Sequence, residues 1–329
     1  MAGRRTNLGL LVALPLSLIT GGGAFGLGSG WVRWAVLAHV VAGLAVVILS
    51  PWKSVIMRRG LGRAKRGRAV SIAFFVLVLV CIVSGVAHSA GLTEWGPVSA
   101  MQVHVGAALA SIPMLLWHVV ARPVRVHRTD VARRALLRAG TVVGGSGLLY
   151  LGVEGVSRLA SLPGRHRRIT GSHQQGSFQP DAMLVTQWLF DRVQYIDPSS
   201  WSLRVGKRRL SHEELLVFDD DLRATIDCTG GWYATQDWTG IRLDKLLEDV
   251  EGASIVVTSA TGYARRFPLT DASRLLLATR VGGNLLSEGH GFPARVVAPG
   301  RRGFWWVKWV SSIDVDDRSW FLQPPFPLT

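Results

Sequence analysis

The chain has 329 residues, a mean hydropathy of +0.27 and a formal net charge of +15. The charge is unevenly divided, because residues 1–168 carry 20 Lys and Arg against three acidic residues, whereas residues 169–329 carry 17 against 19. This division excludes a uniformly basic nucleic-acid binder, and two cysteines, one in each half, exclude a disulfide scaffold. The composition indicates a basic membrane half followed by a nearly neutral domain of about 150 residues.

Five apolar segments of the first half are long enough to cross a bilayer, since about 20 helical residues span a hydrocarbon core of about 30 Å. They are residues 8–28, 31–50, 70–90, 101–121 and 139–157. The first contains Pro15 and three consecutive glycines, so a signal sequence is an alternative, but we interpret it as a retained span. Residues 1–157 are therefore predicted to form an α-helical membrane bundle of about five spans.

The connecting segments predict the orientation, because Lys and Arg near span ends favour the cytoplasmic side. Residues 51–69 carry seven basic side chains and no acidic one, and residues 122–138 carry six arginines against one aspartate. Residues 91–100 contain no Lys or Arg. We therefore expect a multi-pass protein of a bacterial cell membrane, with a cytoplasmic N-terminus, an extracytoplasmic C-terminal domain and no nucleic-acid partner.

The start of the last span carries a second signal. Arg133 and Arg134, followed by an apolar run, resemble a twin-arginine export signal placed internally. An ordinary positively charged flank is the alternative interpretation. We predict the twin-arginine or general export machinery as a partner.

Four histidines lie in or at the predicted spans, and a histidine in lipid is costly unless it is paired or ligating. They are His39, His88, His104 and His118. His39 and His104 are the preferred axial ligands of a haem b, because they sit deeper than His88, and His88 and His118 are weaker candidates. One haem, two haems and plain interhelical hydrogen bonding all remain open. The layout resembles small b-type cytochrome membrane domains.

The pattern changes in the second half. Residues 158–180 are polar and contain Gly and Ser, which predicts a flexible linker, and residues 181–329 are predicted to form a mixed α+β domain. Its predicted elements are a hairpin of residues 202–205 and 208–210, a short helix opened by Ser211 and Glu214, a helix over 243–250, and strands at 254–259, 294–298 and 307–315.

Several ordered blocks of this domain carry a family resemblance. They include Asp227-Cys228-Thr-Gly-Gly-Trp232, Gly289-His-Gly-Phe-Pro-Ala-Arg295 and Val307-Lys308-Trp309. Over residues 198–315 the sequence resembles the molybdopterin-binding domain of the sulfite oxidase family, which includes sulfite oxidases and the catalytic subunit of bacterial periplasmic methionine sulfoxide reductase. The resemblance implies a mixed α/β fold around one molybdenum held by a pterin dithiolene.

The resemblance also implies roles for individual residues. Cys228 would supply the thiolate ligand of molybdenum, since a metal that cycles through oxo transfer needs soft, deprotonated sulfur donors. The pterin and its phosphate would be held by His290, Arg295 and Lys308, with Trp306 and Val307 beside Lys308. Pocket roles are assigned to Thr261, Tyr263 and Arg192, the last as an oxyanion or pterin contact.

The predicted function is that of a membrane-anchored, molybdenum-cofactor-dependent oxidoreductase of sulfite oxidase type. It would transfer an oxo group to or from a small oxyanion or an S- or N-oxide outside the membrane, and exchange electrons through the membrane half with the quinone pool or a redox partner. Residues that would mark a sulfite pocket are not found. The alternatives are a b-type cytochrome with a non-catalytic or accessory outer domain, and a receptor or assembly factor without metal.

Overall fold

The computed structural model describes residues 2–26, 31–61, 67–95, 98–124, 127, 130, 133–187, 191–247 and 250–324. The chain divides into two compact units, one of Met1–Phe25 with Gly30–His173 and one of Gly26–Ser29 with Gln174–Thr329.

Five long helices make up most of the first unit, and each is long and apolar enough to cross a membrane. They are α1 (Ala2–Gly26), α2 (Val32–Leu61), α3 (Arg68–Ser89), α4 (Ala100–Ala121) and α5 (Arg133–Leu159). Each covers most of one predicted segment. Three extend well beyond the prediction. Residues 2–7 begin α1, residues 51–61 continue α2, and residues 133–138, rich in the strong helix formers Ala, Leu and Arg, begin α5.

Small residues allow the helices to approach closely. A Cβ added at Gly9 of α1 would lie 2.9 Å from a methyl group of Leu49 in α2. Between α3 and α4 the chain forms a short hairpin of β1 (Glu94–Trp95) and β2 (Val98–Ser99), after which Ser99 and Gln102 cap α4 reciprocally. Many apolar side chains of the five helices point outward, which suits contact with lipid.

Polar contacts show which segments share an end of this unit. Arg4 makes a bidentate ion pair with Asp130, at 2.6 Å for both nitrogen–oxygen distances. Lys53 Nζ donates to Asn7 Oδ1 at 2.9 Å. The start of α1, the second half of α2 and the segment before α5 therefore meet at one end of the unit.

The segment predicted as a flexible linker contains local structure. It forms single 3₁₀ turns at Pro163–His166 and Pro180–Ala182, with the short strand β3 (His173–Gln174) between them. Arg167 pairs with Glu154 of α5 and donates to the Gly164 carbonyl at 2.9 Å. This ion pair and the turns therefore provide hydrogen-bonding partners for polar groups that water would solvate in a flexible linker.

The second unit contains ten further strands and two short helices in the described residues. They are β4 (Ser202–Val205), β5 (Arg208–Ser211), α6 (His212–Leu216), β6 (Asp220–Asp227), β7 (Trp232–Arg242), α7 (Leu243–Leu246), β8 (Ser254–Ser259), β9 (Ala264–Pro268), β10 (Leu276–Val281), β11 (Asn284–Leu285), β12 (Arg295–Val297) and β13 (Val310–Asp316). In one sheet β7 pairs with β6 and β10, and β10 also pairs with β11 and β12. In the other, the order is β5-β4-β13-β8-β9, with β4 and β13 parallel.

The hairpin of β4 and β5, the capping box of Ser211 and Glu214, and the strand at 254–259 are confirmed. The helix predicted over 243–250 is shorter, since α7 ends at Leu246 and Leu247 leaves the helical conformation with φ −107°. Leu243, Leu246 and Leu247 are buried as expected, whereas Val250 is 43% exposed. The core of the unit contains three nearly inaccessible tryptophans, Trp238, Trp306 and Trp309.

Candidate functional site

A cavity that is open to solvent on one side lies in the second unit. It is lined by residues that follow β6, by the segment around β12, and by the residues just before β13. The predicted site residues Cys228, Tyr263, His290, Arg295, Trp306 and Lys308 line it.

Cys228 occupies a tight turn at the end of β6. The turn is closed by bonds from the Cys228 amide to the Trp232 carbonyl, at 2.8 Å, and from the Gly231 amide to the Cys228 carbonyl, at 3.1 Å. Gly231 has φ +88°, a conformation that favours glycine. The Gly230 amide donates to Cys228 Sγ at 3.3 Å, although burial raises the pKa of the thiol.

A buried ion pair supports this turn from behind. Arg302 pairs with the side chain of Asp227, and its second terminal nitrogen donates to the Cys228 carbonyl at 3.2 Å. The next residue, Gly303, lies so close that an added Cβ would be 3.0 Å from Cys228 Cα. The position of the cysteine is therefore fixed by contacts 74 and 75 residues away in sequence.

His290 and Arg295 are held by a second turn. His290 bonds to Ser287 Oγ through Nδ1 at 2.8 Å and to the Met183 carbonyl through Nε2 at 3.1 Å. Burial, together with the charge of Arg295, lowers the pKa of His290 to about 4. The imidazole is therefore neutral at physiological pH and takes part through hydrogen bonds.

Arg295 is 1% exposed, and its guanidinium packs against both Trp238 and Trp306, with the guanidinium carbon 5.1 and 5.6 Å from the two ring centres. It donates to the carbonyl groups of His290, at 3.1 Å, and Trp306, at 3.3 Å. Its Nε is buried and has no acceptor among the described residues. Burial lowers the pKa of Arg295 to about 9.

Lys308 is the second cation of the cavity. Its Nζ donates to the carbonyl groups of Gly289, at 2.6 Å, and Thr186, at 2.9 Å, and lies 3.4 Å from Gln187 Oε1. Burial and the nearby charge of Arg295 lower the pKa of Lys308 to about 7. A buried cation and a half-buried one, both bonded to neutral oxygens, make the cavity a favourable place for an anion.

The remaining predicted residues lie in different environments. The Tyr263 hydroxyl donates to the Phe304 carbonyl at the cavity wall. The Thr261 hydroxyl donates to Ser259 Oγ at 3.2 Å. Neither Thr261 nor Val307 is among the described residues that line the cavity. Arg192 is exposed and does not line the cavity, whereas its neighbour Asp191 does.

The family model for the oxidoreductase molybdopterin binding domain matches residues 191–321 of the chain. The C-terminal region is an oxidoreductase molybdopterin-binding domain. The resemblance of this region to the sulfite oxidase family is thereby confirmed, and the domain is that of a molybdenum-cofactor oxidoreductase.

Three relatives place the molybdopterin-binding domain among known proteins. The uncharacterized oxidoreductase YuiH of Bacillus subtilis is 29% identical over 161 residues, covering 43% of this chain and 80% of that protein. Sulfite oxidase of Arabidopsis thaliana is 35% identical over 94 residues, covering 27% of this chain and 22% of that enzyme. Human mitochondrial sulfite oxidase is 33% identical over 166 residues, covering 37% of this chain and 30% of that enzyme.

The chain thus spans less than a third of the length of either sulfite oxidase.

The residues of the molybdopterin-binding domain fit the cofactor that its family implies. A buried thiol that accepts an amide hydrogen bond is a soft sulfur donor, and Cys228 provides one. The unused Nε–H of Arg295 and the ammonium of Lys308 suit an anionic group such as a phosphate. The glycines at 230 and 303 leave room beside the sulfur and behind the turn.

Among the long helices, the preferred histidines lie together. The ring centres of His39 in α2 and His104 in α4 are 5.9 Å apart, with the ring planes at 89°. His39 Nδ1 bonds to the Ser17 carbonyl at 2.8 Å, and His104 Nδ1 to the Cys81 carbonyl at 2.7 Å.

The other two histidines have different surroundings. His88 packs against His173, with ring centres 4.9 Å apart, and its Nε2 bonds to the Gly171 carbonyl at 3.0 Å. His118 packs against Phe74, with ring centres 5.8 Å apart. Neither forms a facing pair with another of the four histidines of the helices in the described residues.

Sequence reasoning missed three residues of the site. Arg302, Asp191 and Gln187 were not singled out, although the last two line the cavity and Arg302 supports Cys228. The signal for Arg302 in the sequence was its position between the block that ends at Arg295 and the block that begins at Val307.

Proposed function

We propose that the protein is a membrane-anchored oxidoreductase that transfers an oxo group, with two electrons, to or from a small oxyanion or an S- or N-oxide outside the membrane. The observation that carries this proposal is the convergence of Cys228, Arg295 and Lys308 in one cavity of the molybdopterin-binding domain. When bound, the molybdenum cofactor supplies the two-electron redox chemistry.

The residues of the chain have distinct tasks in this proposal. Cys228 binds the metal through Sγ, and its turn is kept in place by Arg302. Arg295 and Lys308 bind the anionic part of the cofactor, and His290, neutral at physiological pH, acts as a hydrogen-bonding partner. The aromatic side chains of Trp232, Trp306 and Trp309 line the cavity and limit water access.

The two cysteines allow a matched test of the molybdenum site. Molybdenum and pterin are measured in the purified full-length protein, in Cys228→Ala and in Cys81→Ala. We expect about one molybdenum per wild-type chain, strong loss in Cys228→Ala and retention in Cys81→Ala, since Cys81 lies in α3. Wild-type protein without molybdenum would contradict the proposal.

For the membrane half we propose one haem b between His39 and His104. The ring centres of the two imidazoles lie 5.9 Å apart, so the two histidines would be the residues that hold the haem iron. Each Nδ1 bonds to a carbonyl group, the contact that orients a metal-binding histidine and leaves Nε2 as the ligand.

The two histidines also share a local arrangement. The carbonyl group bound by His39 belongs to Ser17, and a Cβ added four residues later, at Gly21, would lie 3.0 Å from the His39 ring. The carbonyl group bound by His104 belongs to Cys81, and a Cβ added at Gly85 would lie 2.9 Å from its ring. In each case a carbonyl and a glycine one helical turn later hold the imidazole, which supports a common role.

The haem proposal is tested by a reduced-minus-oxidised spectrum of membranes. We expect a b-type α-band in the wild type that is lost in His39→Ala and His104→Ala but kept in His118→Ala. A wild type without the band contradicts the haem. A band accompanied by no molybdenum favours the second candidate function, a b-type cytochrome with an accessory outer domain.

We further propose that the N-terminus is cytoplasmic and the C-terminal domain extracytoplasmic, with a quinone or another redox partner exchanging electrons through the membrane half. The contacts of Arg4 with Asp130 and of Lys53 with Asn7 support this orientation, because they bring the N-terminus and parts of both basic segments to one end of the helices. Reporter fusions after residues 91 and 160 should both report the outer side.

Export is proposed to depend on the arginine pair. Arg133 and Arg134 begin α5 with exposed side chains, so export machinery can reach them. The double substitution of both arginines by Lys should block export of the domain, whereas Arg138→Lys should not. Unchanged export of the double variant would favour the general pathway.

A further inference from the structure

Thr186 lines the cavity and carries a hydroxyl group that the proposed function does not use. Trp232 Nε1 donates a hydrogen bond to Thr186 Oγ1 at 3.0 Å. Because an indole N–H can only donate, this bond occupies a lone pair of the hydroxyl oxygen. The hydroxyl proton therefore stays available for a different acceptor.

The sulfur of Cys228 is that acceptor. Burial raises the pKa of the Cys228 thiol, and hydrogen bonds with the Gly230 amide and the Thr186 side chain oppose this effect. A Cβ added at Gly230 would lie 3.6 Å from both Cys228 Sγ and Trp232 Nε1. The sulfur, the hydroxyl group and the indole nitrogen therefore form one cluster at the cavity wall.

The direction of the bond between Thr186 and Cys228 follows from the proposed role of the cysteine. A sulfur atom that binds a metal is a thiolate, which has no proton and can only accept hydrogen bonds. The Gly230 amide donates to Sγ at 3.3 Å, and the Thr186 hydroxyl would be a second donor. Hydrogen bonds then lead from the indole to the hydroxyl and from the hydroxyl to the sulfur, and bonds in such a chain polarise one another.

The main chain of Thr186 is also held in place. Its carbonyl group accepts a hydrogen bond from Lys308 Nζ at 2.9 Å, and the same ammonium donates to the Gly289 carbonyl at 2.6 Å. Thr186 is thus oriented by Lys308 through its backbone and by Trp232 through its side chain. The residue is exposed, so replacing its side chain should leave the fold intact.

We propose that Thr186 is a positioning residue whose hydroxyl donates to Cys228 Sγ and raises the reduction potential of the molybdenum. This inference rests on the proposed function, which assigns Cys228 Sγ to the metal. A hydrogen bond withdraws electron density from a sulfur ligand, so that the sulfur stabilises the oxidised metal less. Hydrogen bonds to the sulfur ligands are among the properties that set the potentials of metal–thiolate centres.

The test compares variants of Thr186 with and without the hydroxyl group in the full-length, molybdenum-loaded protein. Thr186→Val keeps the shape of the side chain, Thr186→Ala is a second variant without the hydroxyl, and Thr186→Ser retains it. The midpoint potential is followed by the electron paramagnetic resonance signal of half-reduced molybdenum, which only loaded molecules give. We expect a lower potential in Thr186→Val and Thr186→Ala, the wild-type potential in Thr186→Ser, and wild-type molybdenum content in all three.

Thr225→Val is the matched control. Thr225 lies in β6, three residues before Cys228, but its hydroxyl bonds to the hydroxyl of Thr235 at 2.8 Å. It is not among the described residues that line the cavity. The midpoint potential of Thr225→Val should equal that of the wild type, which separates a hydroxyl near the sulfur from one elsewhere in the domain.

The outcomes distinguish the two proposals. A wild type that lacks molybdenum overturns the proposed function, and this inference with it. If the wild type holds molybdenum, an unchanged potential in the variants without the hydroxyl overturns this inference alone. An equal shift in Thr186→Ser or in Thr225→Val does the same, because the shift would then not depend on the hydroxyl of Thr186.

Discussion

The ion pair of Arg302 and Asp227 permits a quantitative prediction for Arg302→Met. The two side chains are 6% and 11% exposed, so the pair is almost completely removed from water. Methionine would preserve much of the volume but would leave the Asp227 carboxylate without the guanidinium and would release the Cys228 carbonyl.

The expected cost follows from this burial. Breaking a buried ion pair by removing one partner costs about 3–5 kcal/mol, a large share of the roughly 5–15 kcal/mol that stabilises a typical domain. The double variant Asp227→Asn/Arg302→Met should be less destabilised than Arg302→Met, because the second substitution removes the buried charge.

Hydrogen exchange with mass spectrometry on the full-length protein in detergent measures this cost locally, in peptides covering β6 and β7. Molybdenum content, measured in parallel, should fall because Cys228 loses its support. Arg204→Met is the matched control, since the Arg204–Asp314 pair is 42% and 34% exposed and should contribute about 1 kcal/mol or less. Equal effects of Arg302→Met and Arg204→Met would refute the reasoning.

Three further predictions concern other contacts. Gly303→Ala places a Cβ 3.0 Å from Cys228 Cα. It should destabilise β6 by about 1–3 kcal/mol and lower the molybdenum content. Hydrogen-exchange rates and a molybdenum content equal to those of the wild type would contradict this prediction. Gly85→Leu should abolish the b-type band because its Cβ would lie 2.9 Å from His104 Nδ1, whereas Gly106→Leu, with open space around it, should retain the band.

The third prediction is that the second unit loses stability as pH falls from about 6.5 toward 4. Burial lowers the folded-state pKa of His290 to about 4 and also lowers the pKa of His212. Both histidines take up protons near pH 6.5 in the unfolded chain, so acid in this range favours the unfolded state. The opening free energy is measured by hydrogen exchange as a function of pH in cofactor-free protein. Its pH slope should be shallower in His212→Gln than in the wild type, and an unchanged slope would contradict the prediction.

Local patterns predicted much of the second unit. The hairpin at Gly206 and the capping box at Ser211 depend on residues a few positions apart, and both are confirmed. The helix over 243–250 was overextended, since its apolar spacing continues past Leu246 although the backbone does not. Periodicity identifies a buried face but does not show where a short helix ends.

The candidate site was predictable only in part. The block around His290 and Arg295 and the cysteine turn indicated the cavity, because each is compact in sequence. Arg302 supports Cys228 across 74 residues, and Asp191 follows a segment with only a loose family match, so neither carries a local signal. Likewise, the facing of His39 and His104 depends on how helices pack, which spacing along one helix cannot give.

The two cations of the cavity differ in what a phosphate must displace. An ammonium has three hydrogens, and those of Lys308 already have three oxygen acceptors within reach, on Gly289, Thr186 and Gln187. Arg295 keeps one buried N–H without an acceptor in the described chain. A phosphate that accepts a hydrogen bond from Arg295 Nε therefore displaces no acceptor of the protein. A phosphate that accepts one from Lys308 replaces an oxygen of the protein, such as that of Thr186 or Gln187. Cofactor loading and the position of the segment that contains these two residues are consequently coupled.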